Sequence, residues 1–334
     1  MDVSNGSGPA TAFYSVADRR FFLGLVAMLN SLRMAGHDEP LVVVDAGLTP
    51  RQRDLLAGHV TFVRVPPASL SHYLFVLSPR ELPADVMVLI DADMIVTRRL
   101  TELVEAARAD RVVAFVDCPA NSDRFSPRWA PALGLGEARR QPYVNAGLVA
   151  FSRKLSRRLL PPWADGQARL AVGDTCYGGA QLADPFYFAD QDVLNALLST
   201  CFAPDELAFV DHRFAPHPPF TGLELRDTRT LDCRYGDGAA PFVLHHVLAK
   251  PWLEATRRNI YSALLPRLLL APDVTLRLDA HMLPLRLREG RVAALDRQRA
   301  DVKAMLSASA GRGIHHFGIR TRLRDARAAR RTAA

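Results

Sequence analysis

The chain reads as an α/β protein with a mostly parallel central sheet and helices on both faces, and three observations predict it. Apolar, β-branched runs alternate with stretches of helical periodicity through the first half of the chain. One run, VMVLI at 86–90, is apolar without interruption, as a strand covered on both faces must be. The length of 334 residues, with 49% hydrophobic and 23% charged, gives an ordinary globular composition able to bury a large core.

The elements follow in order. Strands are predicted over 11–16, 41–44, 61–65, 86–90 and 111–116. Between them lie helices over 20–34, 49–56 and 100–107, and Pro50 suits a first helical turn. Repeated βα units of this kind imply parallel pairing. After Asp117 the pattern becomes irregular. Residues 118–142 carry several prolines, Gly134 and Gly136, and read as a long surface excursion. A strand resumes over 143–151, interrupted by Asn-Ala-Gly. Residues 164–188 are rich in glycine, proline and aromatics, consistent with a loop that covers a site. Further on, a helix is expected over 191–200, a strand over 242–246, a helix over 252–270, strands within 273–286 and a helix over 293–307.

Composition excludes several classes. No apolar stretch approaches the roughly 18 residues needed to cross a bilayer. The start, MDVSNGSGPA, lacks the basic and apolar segments of a secretory signal, so a cytoplasmic setting is expected. Cys118, Cys176, Cys201 and Cys233 show no CxxC spacing and read as reduced thiols. The net charge is +7, but residues 310–334 hold seven arginines against one aspartate. That tail accounts for +6, leaving the body nearly neutral and without the basic, aromatic-studded stripe of a nucleic-acid binder.

Four motifs carry chemistry. Asp91 and Asp93 follow the apolar run, at the carboxyl edge where α/β sheets bind ligands. Two hard oxygen ligands so placed can hold a divalent cation, which neutralises phosphate oxygens. They are also ordinary turn caps, and an aspartyl-phosphate phosphatase uses a related pair, though normally on its first strand. Tyr143-Val144-Asn145-Ala146-Gly147 marks either a bulge or a close backbone approach, with Asn145 able to read a hydroxyl. Asp190-Gln191-Asp192 opens a helix, where aspartate often caps and where a sugar or phosphate can also sit. His245-His246 precede Lys250-Pro251-Trp252, which places one of only three lysines beside one of three tryptophans. Imidazole suits manganese-like cations and lysine suits phosphate.

In this order, DxD, NAG, DQD and H…KPW resemble the retaining glycosyltransferases of the glycogenin and lipopolysaccharide-galactosyltransferase type, family 8, over roughly residues 11–255. The resemblance implies a GT-A fold at 1–255, followed by a helical and strand extension at 256–310 and a basic tail at 311–334. It implies a nucleoside-diphosphate sugar, UDP-linked, held with Mn²⁺ or Mg²⁺. Asp91, Asp93 and His245 would be the metal ligands, with Asp93 the firmer of the carboxylates. Ala92, Asn145, Asp190 and Lys250 would bind the donor. Asp190, Gln191 and Lys250 would be catalytic, with Lys250 on the departing diphosphate. The acceptor would be a glycan, a lipid-linked sugar or a small molecule, and the basic tail could touch an anionic membrane.

The chain departs from that pattern in three places. Residues 72–77 offer no Arg or Lys to grip the donor, and Arg80 is the nearest basic residue. The glycine inside H…KPW is missing, which leaves His246 a competitor to His245. Residues 17–21 lack the polar pair before Phe21. Two other readings stay open: a sugar nucleotidyltransferase, which would normally show a glycine-rich first loop that 15–20 lacks, and a non-catalytic sugar-binding protein.

Overall fold

The computed structural model describes residues 8–65, 71–247, 249–254 and 256–288, with isolated positions near 295 beyond them. The expected helix over 293–307 and the basic tail fall almost entirely outside the described residues.

The elements run β1 (Thr11–Ala17), α1 (Phe22–Met34), β2 (Leu41–Asp45), α2 (Pro50–Leu56), β3 (Thr61–Val63), α3 (Ser78–Glu81), β4 (Val86–Ile90), β5 (Met94–Val96), α4 (Thr101–Arg108), β6 (Val112–Val116), α5 (Trp129–Leu133), β7 (Val144–Ser152), α6 (Arg153–Arg169), α7 (Asp190–Cys201), β8 (Leu207–Val210), β9 (Leu223–Asp227), β10 (Asp232–Tyr235), β11 (Val243–His245) and α8 (Ile260–Leu270). Seven strands form the main sheet in the order β3-β2-β1-β4-β7-β6-β8. All pairs are parallel except those of β7, which runs against both β4 and β6.

Strand β4 shows why its run had to be apolar throughout. Val86, Val88 and Ile90 enter the core beneath α1, α4 and α8, while Met87 and Leu89 enter the one beneath α6 and α7. Each face is dry, so neither parity tolerates a polar side chain.

Three expectations fail at element level. Helix α6 was not anticipated, because Pro161 and Pro162 lie inside it and interior prolines normally break helices. Ser152 caps it by accepting from the Leu155 N–H at 3.3 Å. Leu155, Leu159, Leu160 and Trp163 then bury one face, and that packing overrides the missing backbone bonds. The helix expected from 252 begins only at Ile260, where Asn259 and Ser262 form a reciprocal cap. Residues 273–286 form no strand; two short 3₁₀ turns stand at Ala280–Met282 and Leu285–Leu287. This segment is tied to α1 by buried Asn30, whose amide donates to the Leu268 and Leu276 carbonyls and accepts from the Leu276 N–H.

Candidate active site

The site lies at the carboxyl edge of β4 and β6, where antiparallel β7 also begins. Because β7 runs backwards, its opening residues Asn145-Ala146-Gly147 lie beside the DxD turn, and the Asp91 N–H donates to the Gly147 carbonyl at 2.8 Å. The pairing of β6 with β7 shifts register between Ala114 and Phe115, so the Asn-Ala-Gly interruption is a bulge. The bulge also aims Asn145 into the cleft.

His245 reaches the same point by another route. Past the DxD turn, β5 pairs with β11 so that Met94 faces His245. A residue some 150 positions downstream is thereby set beside Asp93. His245 Nε2 stands 3.5 Å from Asp91 Oδ2 and 3.3 Å from Asp93 Oδ1. One ligand atom from each of Asp91, Asp93 and His245 lies within 4.8 Å of the others. The Asp91 side chain is 37% exposed, whereas the side chains of Asp93 and His245 are at 8% and 5%.

Burial disfavours charge on all three groups, and each resolves the conflict differently. His245 would be held neutral by burial alone, but the Asp93 and Asp91 carboxylates lift its pKa to about 9. Against its own burial, Asp93 is kept well below the usual carboxylate range by Lys250 and His245. Asp91 is pushed up by burial and by the charge on Asp93.

A divalent cation fits these residues. Asp93 Oδ1 is buried and accepts no hydrogen bond among the described residues. The donor set of two carboxylates and an imidazole matches Mn²⁺ better than an all-oxygen set would. Gly147 keeps the floor open, since a Cβ there would lie 2.6 Å from His245 Cε1 and 2.7 Å from Asp91 Oδ2.

Of the two histidines, His245 lies beside the carboxylates. His246 turns away from the cluster, with Nε2 3.1 Å from the Asn259 amide and its ring against Tyr261. Lys250 donates to Asp93 and to the His246 carbonyl, so its ammonium rests on a carboxylate that a cation would share. Trp252 anchors the same segment by donating to the Arg20 carbonyl at 2.7 Å. Ala92 is buried at the turn; its carbonyl lies 2.4 Å from where a Cβ on Gly24 would stand, so α1 packs tightly beneath the DxD.

Helix α7 supplies the far wall. Gln191 is fully oriented: its Oε1 accepts from Asn145 Nδ2 at 3.0 Å and from the Ala146 N–H at 3.2 Å, and its Nε2 donates to Asp117 at 2.9 Å. Asp190 faces the acidic cluster, and burial together with the Asp91 carboxylate pushes its pKa up to about 8. Ala189 before it adopts φ 52°, a strained conformation for a residue with a Cβ.

Asp192 has a different job. It is buried, takes a two-pronged bond from Arg124 at 2.7 and 2.9 Å, and accepts from Tyr143 at 2.8 Å and the Phe188 N–H at 2.7 Å. Arg124 also donates to the Leu182 and Asp184 carbonyls, so this pair fastens the 182–188 segment to α7. In the 71–81 region Arg80, which is the one Arg or Lys there, is exposed. Sequence reasoning passed over Asp117, which ends β6 as Asp91 ends β4; the shared pattern of an apolar strand closing on aspartate was the available signal.

The fold has known counterparts. The galactosyltransferase LgtC, solved in complex with donor and acceptor sugar analogues, superposes with TM-score 0.50 at 18% identity, over 78% of this chain and 98% of that one. The bifunctional glycosyltransferase WbbM matches with TM-score 0.53 at 15% identity, over 81% of this chain and 51% of that one. GlyE of Streptococcus pneumoniae matches with TM-score 0.51 at 14% identity, over 78% of this chain and 60% of that one. The fold is GT-A. No protein-family model matches the sequence, and no curated protein does. At these identities the likeness establishes the architecture, and the chemistry must be argued from the side chains.

Proposed function

We propose that the chain is a metal-dependent glycosyltransferase that moves a sugar from a nucleoside-diphosphate sugar, UDP-linked, to an acceptor hydroxyl with retention of anomeric configuration. The observation that carries this reading is the convergence of Asp91, Asp93 and His245 within 4.8 Å, from segments far apart in sequence, at the carboxyl edge of a GT-A sheet. Those residues would hold Mn²⁺, with Mg²⁺ the alternative; bound there, the cation supplies positive charge against the diphosphate that accumulates charge as the glycosidic bond breaks.

The chain's own groups do the rest. Lys250, which donates to Asp93 and to the His246 carbonyl, would set its ammonium against the leaving diphosphate. Asn145 and Gln191, locked to each other, present a fixed face to the sugar hydroxyls. Asp190, whose carboxyl feels the charge of Asp91, and Gln191 would flank the anomeric carbon. An active-site glutamine-to-glutamate mutant is among the LgtC structures, consistent with weight on a glutamine in this fold. The acceptor is a glycan, a lipid-linked sugar or a small molecule, and the arginine-rich tail favours one at an anionic membrane surface.

Incubating the protein with a panel of UDP-sugars and Mn²⁺ tests the reading. Release of UDP that stops on chelation, together with a transferred or freed sugar of unchanged anomeric configuration by NMR, is expected. Release of pyrophosphate from a nucleotide triphosphate would instead mark a nucleotidyltransferase. Binding without turnover would mark a sugar-binding protein.

A further inference from the structure

We propose that Asp117, Cys118 and His217 form a second cation site beside the first, of a carboxylate–thiolate–imidazole character that selects Zn²⁺. Their ligand atoms lie within 4.8 Å of one another, the same closeness that brings Asp91, Asp93 and His245 together. An ion about 2.0–2.3 Å from each ligand draws neighbouring ligand atoms to roughly 3.4–3.8 Å. His217 Nδ1 and Asp117 Oδ1 already stand 3.7 Å apart. The Cys118 thiol lies within 4.8 Å of both.

Asp117 and Cys118 are already bonded within the cluster, with Cys118 Sγ accepting from Asn121 at 3.6 Å, and His217 is the open member. The His217 ring makes no hydrogen bond among the described residues, although its side chain is only 9% exposed. It packs edge-on against His212, with ring centroids 4.9 Å apart, and His212 Nδ1 is buried without a partner. The cluster itself offers three ligand atoms, from Asp117, Cys118 and His217, as a zinc site with one open position does. Asp117 is held in place by the Cys118 N–H at 2.7 Å and by Asn121 at 3.2 Å, both compatible with a remaining lone pair on the carboxylate.

Selectivity follows from the thiolate. The first cluster has two carboxylates and one imidazole, which suits a hard cation; the second replaces a carboxylate with sulfur, which suits Zn²⁺ over Mn²⁺ or Mg²⁺. The two sites touch, since the His217 and His245 rings lie 5.1 Å apart edge-to-face. They also share a wall, because Asp117 accepts from Gln191. An ion at the second site draws on the carboxylate that orients Gln191, so occupancy is felt in the cleft.

Co²⁺ tests the assignment independently of any sugar chemistry, because only thiolate ligation gives an intense near-ultraviolet charge-transfer band. Full-length protein is titrated under a non-chelating reductant, once as wild type saturated with Mn²⁺ and once as the Asp91→Asn/Asp93→Asn variant. One equivalent of Co²⁺ is expected to raise the band in both, and one equivalent of Zn²⁺ to remove it. Cys118→Ser abolishes the band and His217→Gln weakens binding at least tenfold, with melting curves confirming that each variant is folded. No band in either form, a band that survives Cys118→Ser, or unchanged affinity in His217→Gln overturns the proposal. Any of these leaves the Mn²⁺ reading of the first site standing, since that site has no sulfur.

Discussion

Gly147 and Asp190 show how single positions trade stability for chemistry. Gly147 has no room for a Cβ beside His245 and Asp91. Gly147→Ala is therefore expected to reduce Mn²⁺ affinity by roughly tenfold or more, on the scale seen when the support of a metal ligand is disturbed; calorimetric titration checks it. Asp190 carries a pKa raised to about 8 by burial and by Asp91. An acid raised in the folded state holds a proton that the unfolded chain releases near pH 4, so its effect is to lower stability progressively between about pH 4 and pH 8. Asp190→Asn removes that penalty. In chelator, its melting temperature should exceed that of the wild type by more at pH 8 than at pH 5, although sugar transfer is lost. An equal gain at both values would show that the carboxylate is not strained by its surroundings.

At the scale of elements, legibility tracked local pattern. Strands β1 to β4 and β6 were readable because an all-apolar or β-branched run has few other homes, whereas the three-residue β5 was not anticipated. The DxD, Asn145, Gln191 and His245 were singled out because turns and strand ends expose their chemistry in short motifs, and the fold brings them to one edge of the sheet. Helix α6 was not, since its two prolines argue locally against a helix that tertiary packing nevertheless holds. The direction of β7 was not legible either: nothing in its residues says which way it runs, and only the sheet's completed order does. Nor could spacing separate Asp190 from Asp192, one facing the cleft and the other clamped by Arg124. That clamp is buried, with side-chain exposures of 13% and 0%. Arg124→Met leaves Asp192 charged and unpaired and should cost about 3–5 kcal/mol, the range for breaking a buried ion pair from one side. Urea unfolding measures the loss, and faster proteolysis within 182–188 would place the loosening where the bonds were.

For the molecule as a whole, the site depends on distant chain segments being held to one frame. Helix α8 and the segment after it are fastened to α1 through Asn30, which makes one buried hydrogen bond to Leu268 in the helix and two to Leu276 beyond it. Asn30→Leu keeps the volume but strands the Leu276 N–H and two carbonyls, and an apparent loss of about 2–4 kcal/mol is expected from groups left unsatisfied. The arginine-rich end should act separately: deleting 311–334 is expected to weaken binding to anionic liposomes without altering the melting temperature, and unchanged binding would remove the membrane contact. The central claim is that Asp91, Asp93 and His245 hold one cation between them, and electron paramagnetic resonance of Mn²⁺ tests it most directly. Wild-type protein should quench the free-ion signal with one equivalent, and His245→Asn should lower the affinity roughly 10- to 100-fold or more. Undiminished Mn²⁺ binding by His245→Asn, or no binding by the wild type, would contradict it.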